Sequence, residues 1–164
     1  MSQGEILQIE KSRELNITED EYFTIIKQKL VKNIGVIKME VERNNGPQND
    51  FLKKVRKLAT DNNAILIFDE CTSGFRETFG GLHMKYDVEP DMAMYGKALG
   101  NGYAITAVVG KKSVMESAQS SFISSTFWGE RIGYTAALSS IKEFEKQRTF
   151  KKIISNGKKN TRKS

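Results

Sequence analysis

The segment AILIFDE, Ala64 to Glu70, constrains the fold most: a run of large apolar residues that ends abruptly in two acids. A strand apolar at every position, rather than at every second one, needs cover on both faces, as in a parallel sheet flanked by helices. Upstream, IGVIKMEV (34–41) is a second short run of strand type. Between the two, NNGPQND has turn chemistry, and FLKKVRKLATDNN repeats Phe51, Leu52, Val55, Leu58 and Ala59 on one helical face. Strand, helix, strand in that order is a βαβ unit with parallel strands and a right-handed crossover.

The second half continues the theme. DMAMYGK (91–97) and YAITAVVG (103–110) read as strands, and only ALGNG lies between Lys97 and Tyr103. Five residues are too few for a parallel crossover, so this pair should run antiparallel. The expected fold is α/β, a mainly parallel sheet with one antiparallel strand and helices on both faces. KKSVMESA and IGYTAALSSIKEFEKQ read as helices, the second with Ile132, Ala136, Ala137, Ile141 and Phe144 facing inward. Near the start, Thr18 and Glu21 have capping-box spacing, and Phe23, Ile26 and Leu30 extend a helix over 19–32. The expected organisation is an N-terminal helical segment (1–32), the α/β domain (33–148) and a basic tail (149–164).

The net charge of +6 belongs to that tail. Residues 142–164 hold nine Lys or Arg against two acids, leaving 17 against 18 over residues 1–141. A basic run of this kind reads as a solvated helix end, so no nucleic-acid partner is expected. No apolar run approaches the ~20 residues of a membrane span, and the first residues lack a secretory pattern. A lone cysteine, Cys71, excludes an internal disulfide and fits a reducing, cytoplasmic setting. With a single histidine as well, the chain supplies too few ligands for a structural zinc site, and no metal is expected.

Two residues carry chemical interest. Ligands of open α/β sheets gather at the carboxyl ends of parallel strands, where Asp69 falls. A carboxylate there is solvated structure, a metal or nucleotide ligand, or the partner of a cation. An apolar strand closing in Asp-Glu also describes the magnesium strand of P-loop nucleotide hydrolases, but no G-x-x-x-x-G-K-[ST] loop precedes it. That alternative requires a hydrolase fragment that has lost its loop. The second residue, Lys97, sits between an apolar run and a glycine-rich turn. Apolar surroundings disfavour an ammonium ion there.

The stretch ILIFDECTSGFRETFGGLHMKYDVEPDMAMYGKALGNGYAITAVVG resembles the class III aminotransferases of the pyridoxal-phosphate fold-type I superfamily, nearest the glutamate-1-semialdehyde 2,1-aminomutase branch. The matching pieces are the strand ending Asp-Glu, then Gly-Phe-Arg, Tyr-x-Val-x-Pro-Asp and Lys-Ala-Leu-Gly-Asn-Gly. SSTFWGERIG resembles the segment that carries a phosphate-binding threonine. The likeness spans roughly residues 33 to 148 and implies part of a large, cofactor-binding domain. It implies pyridoxal 5'-phosphate as cofactor, Lys97 as the Schiff-base lysine and later proton carrier, and Asp69 as partner of the pyridine nitrogen. It places Cys71 under the ring and gives the Thr126 hydroxyl to the cofactor phosphate across a homodimer. The implied substrates are a small-molecule amino donor and acceptor. Family members are much longer, with a phosphate loop before this region and a small domain after it. The chain is therefore expected to be a fragment of low activity alone, and an inactive scaffold stays open beside the hydrolase alternative. His83 reads as a loop or surface histidine, Phe127 and Trp128 as packing, and Arg76 and Glu40 as salt-bridging residues within reach of the site. Gly100 and Gly102 provide the turn after Lys97.

Overall fold

The computed structural model describes residues 18–21, 24, 35–43 and 45–161. The helix expected over 19–32 lies mostly outside them, but its start is present. Thr18 Oγ1 accepts the Glu21 N–H at 3.3 Å, and Glu21 Oε2 accepts the Thr18 N–H at 2.9 Å. This is the reciprocal pair that its spacing predicts.

Four strands form one sheet in sequence order: β1 (Val36–Glu40), β2 (Ile65–Asp69), β3 (Met92–Tyr95) and β4 (Ala107–Gly110). β1, β2 and β3 are parallel and β4 is antiparallel to β3. The short connection after Lys97 permits nothing else. The last strand is shorter than YAITAVVG suggests. β3 ends at Tyr95, opposite Ala107, so residues 103–106 have no ladder to join.

Helix α1 (Phe51–Asp61) buries Phe51, Leu52, Val55 and Ala59, with Leu58 partly buried, against Ile37, Leu66 and Phe68 in one core. Leu66 and Phe68 are fully buried, and each such side chain contributes about 1.5–3 kcal/mol relative to exposure. The expectation that β2 is covered on both faces is corrected. Its burial alternates, with Ile65, Ile67 and Asp69 only half-buried. α1 covers the Leu66–Phe68 face. Parallel register puts Lys38, Glu40, Ile67, Asp69, Met92 and Met94 together on the other, and that face stays partly open among the described residues.

Asp91 ties these layers at the entrance to β3. Its Oδ2 accepts the Leu66 N–H at 2.8 Å and Arg56 Nη1 at 2.7 Å, while Oδ1 accepts Lys111 Nζ at 2.7 Å. Burial pushes this carboxyl up, but the Leu66 amide and the two cations outweigh it and bring the pKa down to about 2.

After β4 come α2 (Lys112–Met115), which continues as a 3₁₀ turn to Ser120, then α3 (Arg131–Gln147) and α4 (Thr149–Thr161). Arg148, at φ 47°, separates the last two. The inward stripe of α3 is Gly133 and Ala137, with Ala136, Ile141 and Phe144 half-buried. Ile132, expected inward, is 58% exposed. Gly133 approaches the Ile105 side chain and the Tyr103 ring, so the closest face of the helix runs through Gly133 and turns its neighbour outward.

Candidate active site

Parallel pairing brings the chain leaving β2 beside the chain leaving β3. Asp69 is opposite Met94, and the Glu70 N–H extends the ladder to the Met94 carbonyl at 2.8 Å. Cys71 and Thr72 thus emerge next to Gly96 and Lys97. Lys97 Nζ donates to Thr72 Oγ1 at 2.6 Å. Buried Gly96 faces Cys71 and Thr106: a Cβ there would lie 3.5 Å from Cys71 Sγ and 3.6 Å from Thr106 Cγ2.

Lys97 opens a 3₁₀ turn, Lys97–Leu99, with φ 42° in the left-handed region that non-glycine residues rarely occupy. The Leu99 N–H to Gly96 carbonyl bond (2.9 Å) and the Asn101 N–H to Lys97 carbonyl bond (3.0 Å) hold it there. Two glycines complete the turn. Gly102 has φ 106°, and a Cβ on Gly100 would run into the Tyr103 carbonyl. The result is an open hollow of about 530 Å³ lined by Lys97 and residues 102–106. The expectation of an apolar seat for Lys97 is corrected: the residue is exposed, because its turn stands at the surface of the described chain and its amine reaches a hydroxyl.

Asp69 is held from two sides. Its Oδ2 is 3.0 Å from Lys38 Nζ on β1, and its Oδ1 accepts the Cys71 N–H at 3.2 Å. The Lys38 ammonium keeps the carboxyl below its ordinary range, against partial burial. Burial, followed by the neighbouring Asp69 carboxylate, pushes the half-buried Cys71 thiol up. No group of three or more His, Cys, Asp or Glu among the described residues is placed to hold a metal ion. Lys38 and Thr72 escaped the reading of the sequence. The signal for Lys38 was the alternation in VIKME, which puts it on the same face as Asp69 once β1 and β2 pair in parallel.

A second carboxylate supports the loop from below. Glu70 is fully buried. Its Oε1 accepts the His83 N–H at 2.9 Å and faces His83 Nδ1 at 2.8 Å, while its Oε2 accepts the Leu82 N–H at 2.9 Å and the Ser73 hydroxyl. Burial raises its pKa, but these hydrogen bonds win and leave it low. His83 is therefore not a loop or surface histidine. It is buried in the 3₁₀ helix Leu82–Tyr86, and the carboxylate beside it satisfies its ring.

The remaining expectations divide. Arg76 Nε donates to the Thr72 carbonyl at 2.6 Å, and Glu40 pairs with Arg43 at 2.9 Å. Phe127 and Trp128 are 73% and 59% exposed, so neither packs inside the described chain. Thr126 begins an exposed turn over 126–129, and no hydrogen bond among the described residues joins it to Asp69 or Lys97. The structure thus links Asp69 and Lys97 through the Cys71–Thr72 segment.

Comparisons with known proteins bear on the family and the fold. The model of the family described as aminotransferase class-III matches residues 8–162. A 3-aminobutyryl-CoA aminotransferase of Cloacimonas acidaminovorans is 39% identical over 131 residues, covering 76% of this chain and 32% of the relative. A glutamate-1-semialdehyde 2,1-aminomutase of Nitrosopumilus maritimus is 40% identical over 137 residues, covering 80% and 32%. The chain thus spans about a third of the length of the curated relatives it matches. An ornithine aminotransferase of Plasmodium yoelii shares the fold at a TM-score of 0.71 and 22% identity, over 77% of this chain and 36% of that one. On the family match together with these relatives, the chain belongs to the class-III aminotransferases.

Proposed function

We propose that this chain carries the lysine–aspartate half of a pyridoxal-phosphate site in an enzyme that transfers or shifts an amino group, as an aminotransferase or a 2,1-aminomutase. One observation carries the reading: Asp69 closes β2 and Lys97 lies two residues past the end of the adjacent parallel strand β3, linked through the Thr72 loop. An amine and a carboxylate on neighbouring strand ends, with an open hollow beside the amine, is a donor set that fits the cofactor. Pyridoxal phosphate, when bound, supplies an electron sink for the substrate carbon. The chain's residues do the rest. Lys97 Nζ would hold the cofactor and serve as the amine that carries a proton at the substrate carbon. Asp69 would be the counter-charge that holds the ring nitrogen in its protonated form. Cys71 would line the ring's seat as a small, weakly polar group.

Thr126 would give its hydroxyl to the cofactor phosphate of a second copy, so the working unit would be a homodimer. The exposed apolar side chains around it support this reading: Phe122, Phe127, Trp128, Ile132, Tyr134 and Leu138 are all more than half exposed. The substrates are a small-molecule amino donor and acceptor. No helix among the described residues is long and apolar enough to cross a membrane; the reading takes its cytoplasmic setting from the lone cysteine, and it includes no nucleic-acid partner. The 164-residue chain alone holds the cofactor weakly and turns over little. The family match does not favour a nucleotide hydrolase, for which Asp69 would be a magnesium ligand. The test is to incubate the chain with pyridoxal 5'-phosphate, reduce with borohydride and map the modified lysine. A stable adduct at Lys97, absent in Lys97→Ala, is expected. Labelling scattered over surface lysines and unchanged in that variant would refute the reading.

A further inference from the structure

We propose that Lys38 is a resident counter-ion of Asp69 and competes with the cofactor's ring nitrogen for that carboxylate, so that it acts as a brake on loading of the site. The inference rests on the role given to Asp69 above. Lys38 projects from β1 on the face shared with Asp69, and its Nζ lies 3.0 Å from Asp69 Oδ2. The other carboxylate oxygen already accepts the Cys71 N–H. Asp69 therefore presents no unshared oxygen to an incoming N–H donor.

The pair is built to open. The Lys38 side chain is 51% exposed and the Asp69 side chain 24%. A lysine on a flexible four-carbon stem can swing into water, whereas the shorter aspartate stays on its strand end. Lys38 forms no other ion pair among the described residues, and Glu40, the next acid on this face, is taken by Arg43. A protonated ring nitrogen arriving at Asp69 meets a second cation on the same carboxylate. Either the two share it, with like charges about 4–6 Å apart, or Lys38 leaves. Both outcomes weaken cofactor binding. Because Lys38 is half-exposed, the penalty stays moderate, on the order of tenfold in affinity. The same arrangement lets an anionic group near the ring draw Lys38 off Asp69 and release the brake.

The test compares the wild-type chain with Lys38→Met, Lys38→Gln and Lys38→Arg. Each is titrated with pyridoxal 5'-phosphate and reduced with borohydride, and the Lys97 adduct is quantified by mass spectrometry. The two uncharged variants should half-saturate at about tenfold lower cofactor concentration, and Lys38→Arg should follow the wild type. The difference should shrink at about 1 M salt, where charges are screened within ~3 Å. Equal or weaker loading of both uncharged variants, with the adduct still on Lys97, overturns the role of Lys38 and leaves the proposed function intact. Absence of a Lys97 adduct from every chain overturns the proposed function and this inference with it.

Discussion

Asp91→Asn tests how the sheet is tied together. Asparagine keeps an oxygen for the Leu66 N–H but gives up the charge facing Arg56 Nη1 and Lys111 Nζ. The Asp91 side chain is only 13% exposed and that of Arg56 20%, so solvent screens their pair little. In the folded chain the carboxyl titrates at about 2 rather than 3.8, a difference equivalent to roughly 2.5 kcal/mol. The depressed folded value fixes the sign. The stabilisation is fully present above the unfolded pKa and is lost as pH falls through the folded one, leaving about 1.3 kcal/mol near pH 3 and about 0.4 kcal/mol near pH 2. Urea unfolding of wild type and Asp91→Asn across this range isolates the effect, since other carboxylates titrate alike in both chains. The stability gap should be near 2–3 kcal/mol at neutral pH and should close in acid. A gap that stays constant from pH 7 to pH 3 would show that the Asp91 charge is not what holds β2, α1 and the end of β4 together.

Sheet direction was legible because it follows from local chain length. A helix of 11 residues separates β1 from β2, and only a short glycine turn leads toward β4, so the parallel and antiparallel pairings could be read before any contact was known. The same holds for Asp69 and Lys97, since Asp69 ends one strand and Lys97 follows the next. What stayed hidden depends on which strands lie side by side and on what covers them. Lys38 and Asp69 are 31 positions apart and meet only through the β1–β2 register. His83 looked like a loop residue because nothing local revealed that Glu70, 13 positions earlier, turns inward beneath it. The half-covered face of β2 was misread for a related reason. An all-apolar strand reports the cover it needs, whereas the described chain supplies α1 on one side.

Two further measurements probe the loop beside Lys97. The Cys71 thiol is pushed up by burial and by Asp69, so near pH 8 iodoacetamide should alkylate it several-fold more slowly than a free thiol, and Asp69→Asn should speed the reaction. Mass spectrometry follows both rates, and indifference to the Asp69 substitution would contradict the assigned cause. Glu70→Ala is the more severe change. It strands the backbone N–H groups of Leu82 and His83, the His83 ring and the Ser73 hydroxyl, all now served by one carboxylate with no solvent exposure. Each buried donor left unsatisfied costs about 1–3 kcal/mol, so the total should reach several kcal/mol, and Glu70→Gln should recover little because its amide brings donors toward donors. The loss should fall first on the 71–86 segment, because that carboxylate joins its two ends, so amides there should exchange faster with deuterium than those of α1 in the same variant. A Glu70→Ala chain that loses less than about 1 kcal/mol and keeps 71–86 protected would mean that packing of Phe75 against Phe79, Tyr95 and Phe144, and not the buried carboxylate, holds Thr72 in reach of Lys97.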